Sequence, residues 1–170
     1  MKRHQRVLVA ESAPFMRKAF VKALLRQGCL PVTTSELFEK DGALWFNTER
    51  GPRQAHDGID IALVDCMCDN GTAVTGAMLV RELTARGISC IGIAAMPKFN
   101  GPLKNAGAKL VVRKATALAA VFSGVLSMNR FIEAPQEVPT RLAKFARSYR
   151  KNKQLKDEVN DLVMSCMAPA

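Results

Sequence analysis

The chain has 170 residues, 48% of them hydrophobic, and a formal net charge of +10, which fits one globular domain with an appendage and excludes a fully disordered chain. No apolar run approaches the roughly 18 residues of a membrane span, and none follows the basic N-terminus as a secretory signal would. The odd count of five cysteines favours reduced thiols and a cytoplasmic protein over a disulfide scaffold.

Short β-branched segments alternate with longer segments of helical spacing. Residues 6–10 form the first predicted strand, and the helix that follows has Pro14 in its first turn and Gly28 just past its end. Residues 30–34 form a second strand, in which Pro31 suits the edge of a sheet. This alternation is typical of βαβ units and predicts a parallel sheet.

Residues 35–58 have the least regular pattern. The pair Asp41-Gly42 lies between two apolar runs, which favours a β-hairpin over a short helix. Residues 52–58 are predicted to be a loop.

The later segments complete an α/β pattern. Strands are predicted at residues 59–64, 89–95 and 109–113, with helices at 75–86 and 115–126 and at most a short helix within 97–107. The sequence therefore predicts a five-stranded parallel, doubly wound sheet of the flavodoxin-like type, followed by a C-terminal helical extension.

Polar side chains follow three of the predicted strands. Glu11 and Ser12 come after the first strand, Asp65 ends the third, and Lys114 follows the fifth. Because ligands of an open parallel sheet gather at the carboxyl ends of the strands, we expect these side chains to converge. A carboxylate can hold Mg²⁺ or accept a phosphoryl group, and an ammonium can neutralise that group.

Three segments resemble the receiver domain of bacterial response regulators. Residues 7–18 are similar to the first strand and helix of that family, residues 61–65 to the strand with the phosphoacceptor aspartate, and residues 107–114 to the last strand with its lysine. The resemblance extends over about residues 5–127, and the order and spacing of the motifs are more specific than any one of them.

The resemblance implies roles for individual residues. Asp65 would be the phosphoacceptor, Lys114 would bind the phosphoryl group, and Glu11 with Asp65 would hold Mg²⁺. Ser12 stands where the family has a second carboxylate, so we expect the Mg²⁺ site to be weakened. The expected partners are a histidine kinase or phosphotransfer protein and a downstream protein.

Other positions depart from the family pattern. Ala94 replaces a hydroxyl residue, Val111 an aromatic switch residue and Ala115 a proline. Two functions therefore stay open. The first is a single-domain regulator, not an enzyme, that receives or relays a phosphoryl signal at Asp65 and acts through protein–protein interaction. The alternative is a pseudo-receiver adaptor that is not phosphorylated and that dimerises or binds nucleic acid.

The C-terminal segment is strongly basic. A receiver-like domain at 1–128, a linker at 129–139 and one helix at 140–168 with Thr140 as its N-cap are predicted. Its sequence leaves three arrangements of this helix open: packed on its own domain, paired with a second copy, or bound to a phosphate backbone. The residues predicted to contact a partner are Arg141, Lys144, Arg147, Arg150 and Lys151.

Cysteine and histidine residues do not form a recognisable catalytic or zinc motif. Cys66 and Cys68 lack a second ligand pair, so they are predicted to be packing thiols. His4 and His56 lie in polar segments and are predicted to be solvated.

Overall fold

The computed structural model describes residues 4–66 and 75–169. The strands are β1 (Arg6–Ala10), β2 (Leu30–Thr34), β3 (Phe38–Lys40), β4 (Ala43–Thr48), β5 (Gly51–Gln54), β6 (Ile61–Asp65), β7 (Ser89–Ala94) and β8 (Leu110–Arg113). The helices are α1 (Pro14–Arg26), α2 (Gly76–Ala85), α3 (Asn100–Asn105), α4 (Lys114–Phe122), α5 (Met128–Glu133), α6 (Val138–Tyr149) and α7 (Lys153–Met167). Within the described ranges, no helix combines the length and apolar character needed to cross a membrane.

Five strands form one parallel sheet in the order β2-β1-β6-β7-β8, which confirms the predicted fold class. The chain leaves β1 for β2 on one side and returns to β6 on the other side. Strand order therefore reverses between β1 and β6, which is where ligands of such sheets bind. Pro31 lies in the edge strand β2, where its missing N–H is tolerated.

Both faces of the sheet are covered. Val7 and Val9 of β1 contribute to a core shared with α1 and α4, whereas Leu8 and Ala10 contribute to a core shared with α2. This follows from the twofold alternation of side chains along a strand. All four residues are fully buried, as expected for a parallel sheet between two layers.

A small antiparallel sheet, in the order β3-β4-β5, lies between β2 and β6 in the chain. The predicted hairpin is confirmed: Asp41 and Gly42 connect β3 to β4 with φ values of 53° and 72°. The prediction of a loop over residues 52–58 is wrong at its start, because residues 51–54 form β5 and pair with β4. Pro52 lies in this edge strand, a position that proline can occupy.

Glu82 of α2 links the small sheet to the rest of the fold. The backbone N–H of Leu44 in β4 donates to Glu82 Oε2 at 2.8 Å, and His56 Nδ1 lies 3.4 Å from Glu82 Oε1. The prediction of a solvated His56 is therefore wrong, since this side chain is only 23% exposed. His4 is exposed, as predicted, and its Nδ1 lies 2.7 Å from the carbonyl oxygen of Gly28.

The single C-terminal helix predicted from the sequence is wrong, because two helices are present. α6 begins at Val138, so Thr140 is not an N-cap, and α7 begins at Lys153. Asn152 between them adopts an extended conformation, and its side chain accepts a hydrogen bond from the N–H of Leu155 at 3.0 Å. Asparagine competes with the helix in this way because its side chain caps a new first turn.

The two C-terminal helices pack on α1 and α4 of the same chain. Their apolar side chains join the core beneath those helices, namely Val138, Leu142, Phe145, Val159 and Cys166. This is the first of the three arrangements that the sequence leaves open. In this conformation the apolar stripe is not available for a coiled coil with a second copy.

The segment 129–139, predicted as a linker, contains most of α5, a 3₁₀ turn and the start of α6. The division of the chain at residues 128 and 139 stays a prediction.

We expect Glu82→Ala to lower the free energy of unfolding by about 1–3 kcal/mol, because the N–H of buried Leu44 loses its carboxylate acceptor. Urea unfolding followed by circular dichroism measures the change. Glu133→Ala on the exposed surface of α5 is the control, with a change within about 0.5 kcal/mol. Equal losses in the two variants would contradict the assigned role of Glu82.

Candidate functional site

Three strand ends bring the predicted site residues together. Glu11 and Ser12 directly follow β1, Asp65 is the last residue of β6, and Lys114 is the first residue of α4, directly after β8. β1 and β6 are neighbours, so the two carboxylates lie at the same edge of the sheet. Lys114 reaches them from the far side of β7.

Lys114 forms ion pairs with both carboxylates. Its Nζ atom lies 3.0 Å from Glu11 Oε2, donates to Glu11 Oε1 at 3.1 Å, and lies 3.2 Å from Asp65 Oδ1. Glu11 is fully buried and Asp65 is 3% exposed. The attraction within a buried ion pair offsets the cost of removing its charges from water only when the geometry is close and further hydrogen bonds are present.

Further donors complete the surroundings of the carboxylates. The N–H of Ala13 donates to Glu11 Oε1 at 2.9 Å. The Ser12 hydroxyl donates to Asp65 Oδ2 at 3.3 Å, and the Cys66 thiol lies 3.5 Å from Asp65 Oδ1. Ser12 therefore contacts the predicted phosphoacceptor directly, and both oxygens of Asp65 have a partner.

The electrostatics of the site are those of two close carboxylates and one cation. Burial, and then the charge of Asp65, raise the pKa of Glu11 above its ordinary value of 4.5, and the Ala13 N–H and Lys114 offset this only in part. Burial acts to lower the pKa of Lys114, but Glu11 and Asp65 outweigh it and raise that pKa. Lys114 is therefore protonated at neutral pH.

Arg17 supports the loop that carries the site, and the sequence pattern predicts only a polar helix position for it. Its guanidinium donates to the carbonyl oxygen of Glu11 at 2.6 Å and to that of Ser12 at 3.3 Å. Both contacts are to main-chain atoms, so no pairing of residue types in the sequence could reveal them.

Gly76 is a second residue that sequence reasoning missed. A Cβ atom at this position would lie 1.9 Å from the carbonyl oxygen of Asp65, so a larger residue would push the start of α2 away from the strand end. The N–H of Gly76 donates to the carbonyl oxygen of Cys66 at 3.0 Å. A glycine at the start of a helix that follows the acidic strand is the one available signal.

The departures from the family pattern lie around the same edge. Ala94 is the buried last residue of β7, and Val111 is a half-buried residue of β8. Ala115 follows Lys114 in the first turn of α4. None of the three carries a polar or aromatic group that could respond to a phosphoryl group on Asp65.

The residues of the site fit a Mg²⁺ ion held by two carboxylates. Glu11 Oε2 is buried and accepts no hydrogen bond within the described residues, and the Lys114 ammonium 3.0 Å away shows that a cation is held beside this oxygen. Glu11 and Asp65 together supply the one or two carboxylates that Mg²⁺ commonly takes from a protein. No cluster of three or more acidic, cysteine or histidine ligands occurs in residues 4–66 and 75–169. Cys68 lies outside the described residues.

The five basic residues predicted to contact a partner lie apart from this site. All are exposed, on α6 and in the turn that follows it, and none forms an ion pair with a described residue. They are Arg141, Lys144, Arg147, Arg150 and Lys151.

Solved structures of similar fold are response-regulator receiver domains. The BeF₃-activated receiver domain of DrrB is 15% identical, with 77% of this chain and 99% of that chain covered and a TM-score of 0.53. The phosphorylated cyanobacterial phytochrome response regulator RcpA is 14% identical, with coverages of 78% and 96% and a TM-score of 0.53. A response regulator from Thermotoga maritima is 15% identical, with coverages of 72% and 95% and a TM-score of 0.50.

The chain therefore has the fold of a response-regulator receiver domain, with two further helices packed on it, and the expected fold is confirmed. At these identities the likeness concerns the fold. The sequence matches no protein-family model and no curated protein.

We expect Lys114→Met to lower the free energy of unfolding by about 3–5 kcal/mol near neutral pH, because two buried carboxylates lose their shared cation. The loss should shrink as the pH falls. A carboxyl group whose pKa is raised in the folded state favours folding below that pKa, and this contribution is lost as the pH rises through it. Urea unfolding of both proteins at neutral pH and at about pH 5 measures the effect.

The matched control is the double variant Glu11→Gln, Lys114→Met, which removes one negative charge together with the cation. It should recover most of the lost stability, since Asp65 then has no like-charged neighbour at this position. A double variant as unstable as Lys114→Met alone would contradict the assigned charge balance.

Proposed function

We propose that the protein is a receiver-type signalling protein in which Asp65 accepts a phosphoryl group from a histidine kinase, a phosphotransfer protein or a small phosphoryl donor. The observation that supports this most is the position of Lys114 Nζ, 3.2 Å from Asp65 Oδ1 and 3.0 Å from Glu11 Oε2, at the switch point of a receiver fold. A carboxylate acceptor, a cation for the phosphoryl oxygens and a second carboxylate are thereby in one place.

The transfer proceeds by attack of one Asp65 carboxylate oxygen on phosphorus. The new O–P bond forms as the bond to the donor breaks, and the donor's leaving atom, an acetate oxygen or a histidine nitrogen, keeps the electron pair of that bond. The Lys114 ammonium neutralises charge on the transferred oxygens, and the pKa of Lys114, raised by Glu11 and Asp65, keeps this cation in place near neutral pH. The Ser12 hydroxyl donates a hydrogen bond to Asp65 Oδ2 in the unphosphorylated protein, and after the transfer it donates to a phosphoryl oxygen instead.

Glu11 and Asp65 are the residues that would hold Mg²⁺. When bound, this ion adds positive charge beside the transferred phosphoryl group. Ser12 brings a neutral hydroxyl where a third carboxylate would add charge, so we expect weaker Mg²⁺ binding than in a site with three carboxylates.

The signal leaves the site through α4 in this proposal. Lys114 is the first residue of α4, and α6 and α7 pack against α4. A phosphoryl group on Asp65 competes with Glu11 for the Lys114 ammonium, and a shift of Lys114 moves the start of that helix. This route needs neither a hydroxyl at Ala94 nor an aromatic side chain at Val111.

The second candidate function is a pseudo-receiver adaptor that binds nucleic acid. The exposed basic residues of α6 favour it, because the stretch 138–156 contains no acidic residue to neutralise them. For such an adaptor, the ion pairs of Lys114 with Glu11 and Asp65 have a structural role only.

Incubation of the protein with Mg²⁺ and acetyl phosphate, followed by intact mass measurement, tests the proposal. We expect a labile gain of one phosphoryl group that is absent from Asp65→Asn, because the amide is not a nucleophile for phosphorus. Lys114→Met should also lose most of the gain, since the phosphoryl oxygens lack their cation.

Ser12→Asp is the informative companion variant. It supplies a third carboxylate and should raise the labelled fraction at limiting Mg²⁺ by about tenfold, because an added ligand charge tightens the site. No gain in either the wild type or Ser12→Asp would contradict the phosphoacceptor role. Binding of DNA or RNA that weakens steeply with salt and is lost in Lys144→Ala with Arg147→Ala would then support the adaptor.

A further inference from the structure

One edge of the main sheet is open. Among the described residues, β8 pairs only with β7. The N–H of Lys109 donates to the carbonyl oxygen of Cys90 at 3.0 Å. Because N–H groups alternate in direction along a strand, the N–H groups of Leu110 and Val112 point away from β7. An unpaired strand edge is a template for a further strand.

A groove of about 420 Å³ runs beside this edge, between β8 and α6. Leu110 and Val112 form the strand side, and Leu142, Ala143 and Ala146 form the helix side. α6 packs against α4 and thereby forms a wall beside the edge strand. The groove therefore has an apolar floor, and one of its borders is a strand whose outward main-chain groups can form hydrogen bonds.

The charged side chains that line the groove are all basic. They are Arg113, Arg150 and Lys156, and no carboxylate lines the groove among the described residues. Lys156 Nζ donates to the carbonyl oxygen of Arg150 at 2.5 Å, which fixes this cation at the C-terminal end of α6. Exposed Lys151 directly follows Arg150, exposed Arg147 lies about one helical turn before it, and both add to the positive field.

We propose that this groove binds an extended, acidic segment of a partner protein, which adds to β8 as a further strand. The segment would pair its main chain with the outward groups of Leu110 and Val112 and place every second side chain, apolar in character, against α6. Its carboxylates would meet Arg113 and Arg150. This surface is separate from the carboxylate site, so binding to it does not require phosphorylation of Asp65.

Two other occupants fit the groove less well. A second copy of the chain would bring two such basic edges together, in a protein of net charge +10, which like-charge repulsion opposes. Nucleic acid matches the charge but has no main chain to pair with a strand edge and no aliphatic side chains for the apolar floor. An acidic, extended peptide matches the positive charge of the groove, its open strand edge and its apolar floor.

The probe is a fluorescein-labelled peptide of about eight residues with alternating valine and glutamate, and its binding is followed by anisotropy. We expect binding that weakens with salt. The same peptide with lysine for glutamate, and one with alternate amides N-methylated, should each bind about tenfold more weakly or not at all, because they lose the charge match and the main-chain pairing.

Ala143→Trp tests the location. The exposed indole would fill the groove and should weaken binding by about tenfold, whereas Ala85→Trp, at an exposed position on α2 on the other face of the sheet, should leave it unchanged. Both alanines are exposed, so neither substitution disturbs a packed core. Arg150→Glu should weaken binding of the acidic peptide and improve binding of the lysine peptide.

Hydrogen exchange decides the mode of binding. We expect the amides of Leu110 and Val112 to become protected when the acidic peptide is added. Binding without this protection, or binding unaffected by Ala143→Trp, would overturn the proposal. Protection that appears without peptide as protein concentration rises would assign the edge to a second copy, and tighter binding of a DNA oligonucleotide at the same residues would assign it to nucleic acid. Failure of the phosphoryl experiment leaves these outcomes unchanged.

Discussion

Two buried carboxylates with one shared cation are the constraint on which the rest of the structure depends. Glu11 is fully buried beside Asp65, and the two negative charges are tolerated together there because Lys114 pairs with both. This requirement ties β1, β6 and the junction of β8 with α4 together at one edge of the sheet. The fold supplies the remaining support through main-chain contacts, since Arg17 holds the loop after β1 and Gly76 lets α2 start against the end of β6.

The two C-terminal helices connect this site to a new surface. Their apolar side chains pack against α1 and α4, so the basic side of α6 faces solvent. Other residues of α6 form one wall of a groove beside β8. The helix that starts at Lys114 is the one on which α6 packs. In the account proposed here, the same helix carries the effect of a charge change at Asp65 to the surface where a partner would bind.

The sheet and the carboxylate cluster could be predicted from sequence because they follow from local periodicity and from one rule of topology. β-branched runs identify the strands, and the ends of parallel strands meet at one edge. The features that the sequence did not reveal depend on contacts between distant segments, or on a side chain that competes with the backbone of a helix. The acceptor of the Leu44 N–H is Glu82, the donor to the Glu11 carbonyl is Arg17, and a single asparagine at 152 divides a helix that has no proline or glycine to mark the break.

A crystal structure of the protein with Mg²⁺ and beryllofluoride, a mimic of the phosphoryl group, tests the phosphoacceptor role of Asp65 most directly. We expect beryllofluoride bonded to an oxygen of Asp65, with Lys114 Nζ within hydrogen-bond distance of a fluorine atom and Glu11 on the metal side of the site. An unmodified Asp65 that keeps its contacts with Ser12 and Lys114, at beryllofluoride concentrations that saturate an ordinary receiver domain, would contradict it.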